Sequence, residues 1–308
     1  MLHLKLLLHF NLDVYVPEIN EEIARPATEL ILKIAQEAPF LMHEVLAISA
    51  RHLSVIHPDS RQLYLSQAVE LQTRAIELFN LSHSDTGRDT RIARLLFSSI
   101  LGRHILADVF HHDGPDFPNF LSRFVHGIRI HSGVKAIAAQ GEWTSLLETE
   151  LGPLMTRGLA TAVCNNVKAL NESLKSLIFD STNLDTEDKD ACETALRLME
   201  TGFHDIKDPT RSEYGQRMIF MWSILLPSRY VDLLERQVSE ALVLLGRYAM
   251  LLHFGAQFWQ IGEAGPYLLN AVINHIGPTW EVWLQWPEGL AGHMAGGTGN
   301  SSANPSLE

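Results

Sequence analysis

Apolar residues recur every three to five positions along nearly every apolar segment of the chain. One such segment contains Leu63, Ala68, Leu71, Ala75 and Leu78, with charged residues between them. This spacing places the apolar side chains on one face of an α-helix, whereas a half-buried strand would alternate at every second position. The pattern therefore predicts an amphipathic helix.

Two other segments refine this picture. The stretch from 92 to 109 is apolar nearly all round, which predicts a helix in the centre of the fold. The apolar run Met218–Leu226 alone fits either a strand or a helix, but a helical pattern resumes after Pro227 and continues from Val238 to Phe254. We therefore predict a helix that is broken or kinked at Pro227.

Strand signals are weak, because no Asn-Gly or Asp-Gly hairpin separates two alternating runs. The sequence predicts an all-α fold: a single large domain of about ten to thirteen helices over residues 1–288, followed by a flexible Gly/Ser-rich tail over residues 289–308. The acidic segment Asp180–Asp190 is interpreted as an exposed loop, with a domain boundary as the alternative.

Composition narrows the class of partner. The chain carries 24 Lys and Arg against 36 Asp and Glu, a formal net charge of −12, so we expect no direct binding to nucleic acid. Two cysteines, Cys164 and Cys192, are too few for a disulfide framework or a four-sulfur zinc site. No run of about 18 apolar residues occurs, which predicts no membrane span and a place in the cytoplasm or nucleus. No cofactor is expected.

The most concentrated polar group is formed by Asp108, His111, His112 and Asp113. Asp108 and His112 are four residues apart and share a helical face, so they could together hold a metal or act as acid and base. The alternative is structural, because histidines at the end of a helix commonly cap its carbonyl groups. We favour the structural interpretation.

Aromatic residues concentrate in the last third of the chain, where methionines and glycines accompany them. At helical spacing such residues usually form a core, and the alternative is an apolar cavity for a flat lipophilic ligand. The candidate ligand-binding residues are Met221, Trp222, Tyr248, Phe258, Trp259 and Gly262.

Two stretches carry a resemblance to a known family. The first contains PFLMHEVLAISARHLSVIHP (Pro39–Pro58) and YLSQAVELQTRAIELFN (Tyr64–Asn80). The second, Met218–Pro287, contains MWSILLP, FWQIGEAGPYLL and HIGPTWEVWLQWP. Both resemble the C-terminal regulatory domain of fungal zinc-binuclear-cluster transcription factors, particularly the sterol-responsive regulators.

The resemblance implies an all-helical, dimeric domain and, in the sterol-responsive members, a hydrophobic pocket that binds ergosterol. A glycine-containing loop near the C-terminus helps to control activation in those members. The segment Trp259–Gly265 is its closest equivalent, which makes Gly262 the candidate control residue. The six-cysteine zinc cluster of the family is missing from this chain, so the DNA-binding half was either removed or never present.

The leading hypothesis is therefore a ligand-sensing regulatory domain that binds a sterol or another lipophilic metabolite. On this hypothesis, Gly262→Asp should disturb pocket and switch by placing a charge in an apolar environment. One alternative is a cofactor-independent cyclase or isomerase of a biosynthetic cluster, with Asp108, His111, His112 and Asp113 as its first catalytic candidates. Another is a fully packed dimerisation scaffold.

Overall fold

The computed structural model describes residues 2–14, 21–82, 88–111, 116–139, 171–208 and 210–286. These residues form α-helices and no strand, so the prediction of an all-α fold is confirmed. The helices are α1 (Leu2–Leu12), α2 (Glu21–Ala35), α3 (Pro39–Ile56), α4 (Arg61–Leu81), α5 (Arg88–Phe110), α6 (Phe117–Ala139), α7 (Glu172–Asp180), α8 (Thr186–Lys207), α9 (Ser212–Leu225), α10 (Ser228–Glu235), α11 (Ser239–His253) and α12 (Ala264–Ile276). Short 3₁₀ segments cover Pro58–Ser60 and Pro278–Trp283.

The predicted interruption at Pro227 is present, because α9 ends at Leu225 and α10 begins at Ser228. Proline lacks a backbone N–H and cannot continue the hydrogen-bond ladder of a helix. Its carbonyl instead accepts the first hydrogen bond of α10, from the N–H of Tyr230 at 3.1 Å. The apolar run before the proline is therefore helical, as predicted.

The acidic segment Asp180–Asp190 is only partly a loop. Helix α8 begins at Thr186, inside the segment, and Asp185 accepts a hydrogen bond from the backbone N–H of Asp188 at 2.8 Å. The Asp188 side chain reaches back to the backbone N–H of Asp185, which completes a reciprocal cap. Negative charge is favourable at this end of a helix, so the acidic residues that suggested a loop help to start α8.

Most buried apolar side chains belong to two clusters. One spans residues 106 to 284 and centres on α6 and α8 to α12, while the other joins α1, α3 and α5 and spans residues 10 to 101. Ile105 packs against both clusters. Trp259 lies far along the chain yet packs against the second cluster, so the segment after α11 reaches the N-terminal helices.

The remaining predictions concern a membrane span, the two cysteines and the tail. No helix among the described residues is both long enough and apolar enough to cross a membrane. Cys192 is buried as a free thiol, whereas Cys164 and the predicted tail over residues 289–308 lie outside the described residues.

Candidate functional site

The loop between α11 and α12 lies against helices of the N-terminal part. The Trp259 indole stacks on the imidazole of His52 in α3, with ring centroids 4.7 Å apart and an interplanar angle of 20°. A Cβ added to Gly262 would lie 4.0 Å from Nε2 of His111, which directly follows α5. These two contacts define the candidate site, which we call the loop junction.

The loop owes its shape to one helical turn that ends at a glycine. The backbone N–H of Gly262 donates to the carbonyl oxygen of Phe258 at 3.0 Å, and Ile261 donates to the same oxygen at 2.9 Å. Gly262 then adopts a φ of +50°, in the left-handed region that side chains with a Cβ disfavour. A left-handed glycine commonly ends a helical turn in this way.

Next to the junction, α3 and α5 are joined by charged groups, three of them buried and the fourth, Asp108, partly exposed. Glu44 and Arg51 are two turns apart on α3, and His104 and Asp108 are one turn apart on α5, so each pair shares a helical face. Nδ1 of His104 lies 2.8 Å from Oε1 of Glu44, and Nε of Arg51 donates to Oδ1 of Asp108. Arg51 also donates to the Ala107 carbonyl oxygen at 3.3 Å. We call Glu44, Arg51, His104 and Asp108 the polar clamp.

Electrostatics keep the clamp charged. Burial alone would lower the pKa of His104, but the carboxylates of Glu44 and Asp108 outweigh it and raise that pKa above the usual 6.5. Burial raises the pKa of Glu44, partly offset by His104. The raised pKa values of His104 and Glu44 both favour keeping the proton between these two groups. We place this proton on the imidazole of His104, because the imidazole faces two carboxylates.

A second chain of polar groups ends at the stacked tryptophan. Nδ1 of His9 donates to Asp13 at 2.9 Å, which leaves Nε2 of His9 to accept from Nδ1 of His52 at 3.2 Å. Burial, followed by the nearby His9, lowers the pKa of His52 to about 4. The imidazole that carries Trp259 is therefore neutral at neutral pH.

The predicted acid and base candidates divide into two groups. Asp108 belongs to the polar clamp, and Nδ1 of His111 donates to the Ala107 carbonyl at 3.0 Å in the last turn of α5. The carbonyl-capping role that we favoured for a histidine here is what His111 adopts. His112 and Asp113 lie outside the described residues. No three acidic, histidine or cysteine side chains in the described ranges are arranged to hold a metal ion.

Three of the predicted ligand-binding residues are buried in close packing. Trp222 stacks on Tyr248 with ring centroids 4.1 Å apart, and both side chains are fully buried. Each side chain donates a hydrogen bond to a backbone carbonyl oxygen. The Trp222 indole N–H does so at 3.0 Å and the Tyr248 hydroxyl at 2.6 Å. The ring centroids of Phe258 and Phe220 lie 5.9 Å apart. These contacts are those of a core, and none of these residues lines a described cavity.

The other three predicted residues, Met221, Trp259 and Gly262, are partly exposed. Trp259 and Gly262 meet at the loop junction, whereas Met221 packs against the larger apolar cluster. The six residues therefore do not line one preformed cavity among the described residues. The junction joins the predicted loop to one predicted polar residue, His111, which the sequence alone did not connect with it, while Asp108 belongs to the polar clamp.

Sequence reasoning missed His52 and three of the four clamp residues: Glu44, Arg51 and His104. Their signal was clearest in α3, where Glu44 and Arg51 stand seven residues apart in a largely apolar helix, whereas α5 carries several other charged residues. Ionised side chains are seldom fully buried unless paired. A charged residue on the apolar face of one helix therefore indicates a partner on another, although the sequence does not say which.

Comparison with known proteins agrees with part of this account. Residues 6–111, about a third of the chain, match the family model described as a fungal specific transcription factor domain. The chain matches none of the curated proteins with which it was compared. The matched range contains α3, α5 and the whole polar clamp, and it ends at His111. This part of the chain is therefore similar to a fungal specific transcription factor domain.

Proposed function

We propose that the chain is a ligand-sensing regulatory domain in which the loop junction responds to a sterol or another lipophilic metabolite. One observation carries the proposal: the Trp259–Gly262 loop rests on the helices that match the transcription-factor family. A change in the loop would therefore reach the matched helices directly. A nuclear location and a role in sterol metabolism or secondary metabolism accompany this proposal.

Unpartnered polar atoms at the junction support a lipophile that carries a hydroxyl group. The indole Nε1 of Trp259 and Oε1 of Gln260 are buried and have no hydrogen-bond partner among the described residues. One is a donor and the other an acceptor, and leaving such groups unpaired costs about 1–3 kcal/mol each. A sterol hydroxyl both donates and accepts. Its apolar body would take the place of the Trp259 indole against His52 and the N-terminal apolar cluster.

A switch requires the ligand to prefer one of two states. We propose that the free domain has Trp259 on His52 and the bound domain has the loop displaced. A ligand that bound both arrangements equally well would change nothing, however tightly it bound. The surface exposed on α3 and α5 by loop displacement would then bind or release a partner.

A homodimer is part of the same proposal. Leu4, Leu8 and Leu12 occupy one face of α1, four residues apart, and are 60%, 61% and 72% exposed. Such an apolar stripe suits a contact with the same stripe of a second copy. Sedimentation of the wild type and of Leu8→Glu tests this, and a wild type that is monomeric at all concentrations would contradict it.

The central test measures binding and unfolding of the purified chain with ergosterol. Organic extraction followed by mass spectrometry identifies any co-purified lipophile, and ergosterol should then raise the free energy of unfolding by about 2.7 kcal/mol at a hundredfold excess over Kd. Trp259→Phe, which removes the indole N–H, should weaken this effect. Trp280→Phe, a tryptophan outside the loop, should not. An empty protein that no sterol stabilises would identify a packed dimerisation scaffold instead.

A further inference from the structure

A separate cavity of about 410 Å³ lies on the C-terminal half of the fold, away from the loop junction. It is formed by α7, the loop that follows α7, the first turn of α11 and the Pro278–Trp283 segment. Its lining residues are Ser173, Ser176, Leu177, Asp180, Ser181, Thr182, Asn183, Glu240 and Trp283. Two of them are acidic and none is basic, so the cavity carries negative charge.

Glu240 is the distinctive group of this cavity. Its side chain is only 2% exposed. Oε1 accepts hydrogen bonds from the Ser181 hydroxyl at 2.6 Å and from the Asn183 amide at 3.3 Å. Oε2 is equally buried but has no hydrogen-bond partner among the described residues. An unpartnered oxygen on a buried carboxylate is costly, and a donor supplied by a ligand would remove that cost.

The local structure holds this carboxylate in a fixed position. The backbone N–H of Asn183 donates to Oγ of Ser181 at 3.1 Å, which shapes the loop around Glu240. Glu240 also lies in the first turn of α11, where no side chain caps the helix. The N–H groups at a helix N-terminus interact favourably with a nearby carboxylate, so the end of α11 helps to hold Glu240 in place. The site is preorganised for a cation.

The aromatic side chain of Trp283 favours an organic cation over a bare metal ion as the ligand of this cavity. Trp283 is partly exposed in the cavity and is packed against Trp280, with ring centroids 5.5 Å apart. An indole face attracts cations through its quadrupole and also covers apolar groups. A volume of about 410 Å³ lies in the range of small-molecule sites.

We propose that this cavity binds a primary organic ammonium ion. The ammonium group donates to Oε2 of Glu240, Asp180 at the rim adds attraction, and the organic body lies against Trp283. The rim hydroxyls of Ser173, Ser176 and Thr182 accept further N–H groups or contact polar substituents. This site stands on its own observations and does not depend on the proposed lipophile response.

The test compares two probes of nearly equal shape on the full chain, 2-phenylethylammonium and 2-phenylethanol, by titration calorimetry and saturation-transfer NMR. The ammonium probe should bind at least about tenfold more tightly than the alcohol, a difference of about 1.4 kcal/mol. Equal affinities, or no binding of the ammonium probe at millimolar concentration, would overturn the proposal. This comparison needs no variant and is therefore independent of folding effects.

Matched variants locate the binding. Glu240→Gln keeps the size of the side chain and should weaken ammonium binding at least about tenfold, and the exposed Asp180→Asn should weaken it severalfold. Asp190→Asn changes the net charge equally at an exposed position of α8 outside the cavity and should leave affinity unchanged. An affinity unaffected by Glu240→Gln would overturn the assignment. So would Ca²⁺ binding at Glu240 without any affinity for the ammonium probe.

Discussion

Gly262 is the position at which the loop junction can be tested most directly. Among the described residues, only the Nε2 atom of His111 would come within 4 Å of an added Cβ, at 4.0 Å, so alanine fits the space that they leave. The cost of Gly262→Ala is therefore backbone strain at a φ of +50°. A left-handed conformation costs about 1–2 kcal/mol for a residue with a Cβ. The reduced entropy of the unfolded chain returns about 0.4–1 kcal/mol.

We therefore expect Gly262→Ala to lower the free energy of unfolding by about 1 kcal/mol. Gly262→Asn should cost less than Gly262→Ala, because asparagine adopts the left-handed region more readily. Gly277→Ala is the matched control, since Gly277 also has a positive φ, of +84°, but lies at the far end of α12. It should lower stability without changing the response to ergosterol, whereas Gly262→Ala should change both.

Gly262→Asp has a different expected outcome from the one that the sequence suggested. The environment of Gly262 contains the imidazole of His111 and is not wholly apolar. Burial, followed by the nearby Arg51, lowers the pKa of His111, and a new carboxylate beside it would raise that pKa. A higher pKa of His111 reduces the cost of protonating this buried histidine in the fold, and that gain is present only at acid pH. Gly262→Asp should therefore be better tolerated at about pH 5.5 than at about pH 8.

The assay is urea unfolding monitored by far-UV circular dichroism, with linear extrapolation to water. The unfolding slope should be the same for all variants, so that midpoints report stability. Two results would refute the reasoning. One is a Gly262→Ala protein as stable as the wild type, which would mean that the residue does not hold a left-handed conformation. The other is a Gly262→Asp protein whose cost is the same at both pH values, which would mean that His111 is not its neighbour.

Three further outcomes follow from buried histidines. Gly102→Ala would place a Cβ 2.0 Å from the ring of His131, and we expect a loss of about 3 kcal/mol in urea unfolding; an unchanged midpoint would contradict the contact. Burial, followed by the nearby Arg103, lowers the pKa of His131 to about 3. The free energy of unfolding should therefore be at its full value above about pH 6.5 and fall by up to about 5 kcal/mol towards pH 3. In acid titrations, His131→Gln should make this fall smaller. Glu44→Gln should cost about 3–5 kcal/mol by removing the carboxylate that pairs with His104. The wild type should also lose stability as the pH rises from about 6.5 through the raised pKa of His104. If Glu44→Gln showed the same decline, the pair of Glu44 and His104 would not be its cause.

The sequence predicted helices well because their signal is local. The apolar period placed a helix from Val238 to Phe254, and the structure has one at Ser239–His253. The start of α8 was missed because acidic residues were interpreted as a solvated loop. Asp185 and Asp188 stand three residues apart and cap the helix reciprocally. That spacing is readable in the sequence and could have corrected the boundary.

The loop junction was harder to predict because its contacts join distant parts of the chain. The sequence singled out Trp259, Gly262 and His111, but nothing in it relates the tryptophan to His52, which stands more than two hundred residues earlier. Spacing along one helix reveals a shared face, whereas the partner of that face is decided by packing. The same reason explains why Glu240 and Asp180 were not recognised as neighbours across a cavity.

The strengths of the contacts suggest how the two parts of the site divide their roles. Breaking a buried ion pair such as the one between Glu44 and His104 costs about 3–5 kcal/mol, so the polar clamp holds α3 and α5 as a fixed frame. The stack of Trp259 on a neutral His52 contributes about 0.5–1.5 kcal/mol beyond its buried area. A ligand that prefers the displaced indole by about tenfold supplies a comparable free energy. On these magnitudes the proposed ligand would move the tryptophan while the clamp stays closed, which is the arrangement that a reversible sensor on a fixed frame requires.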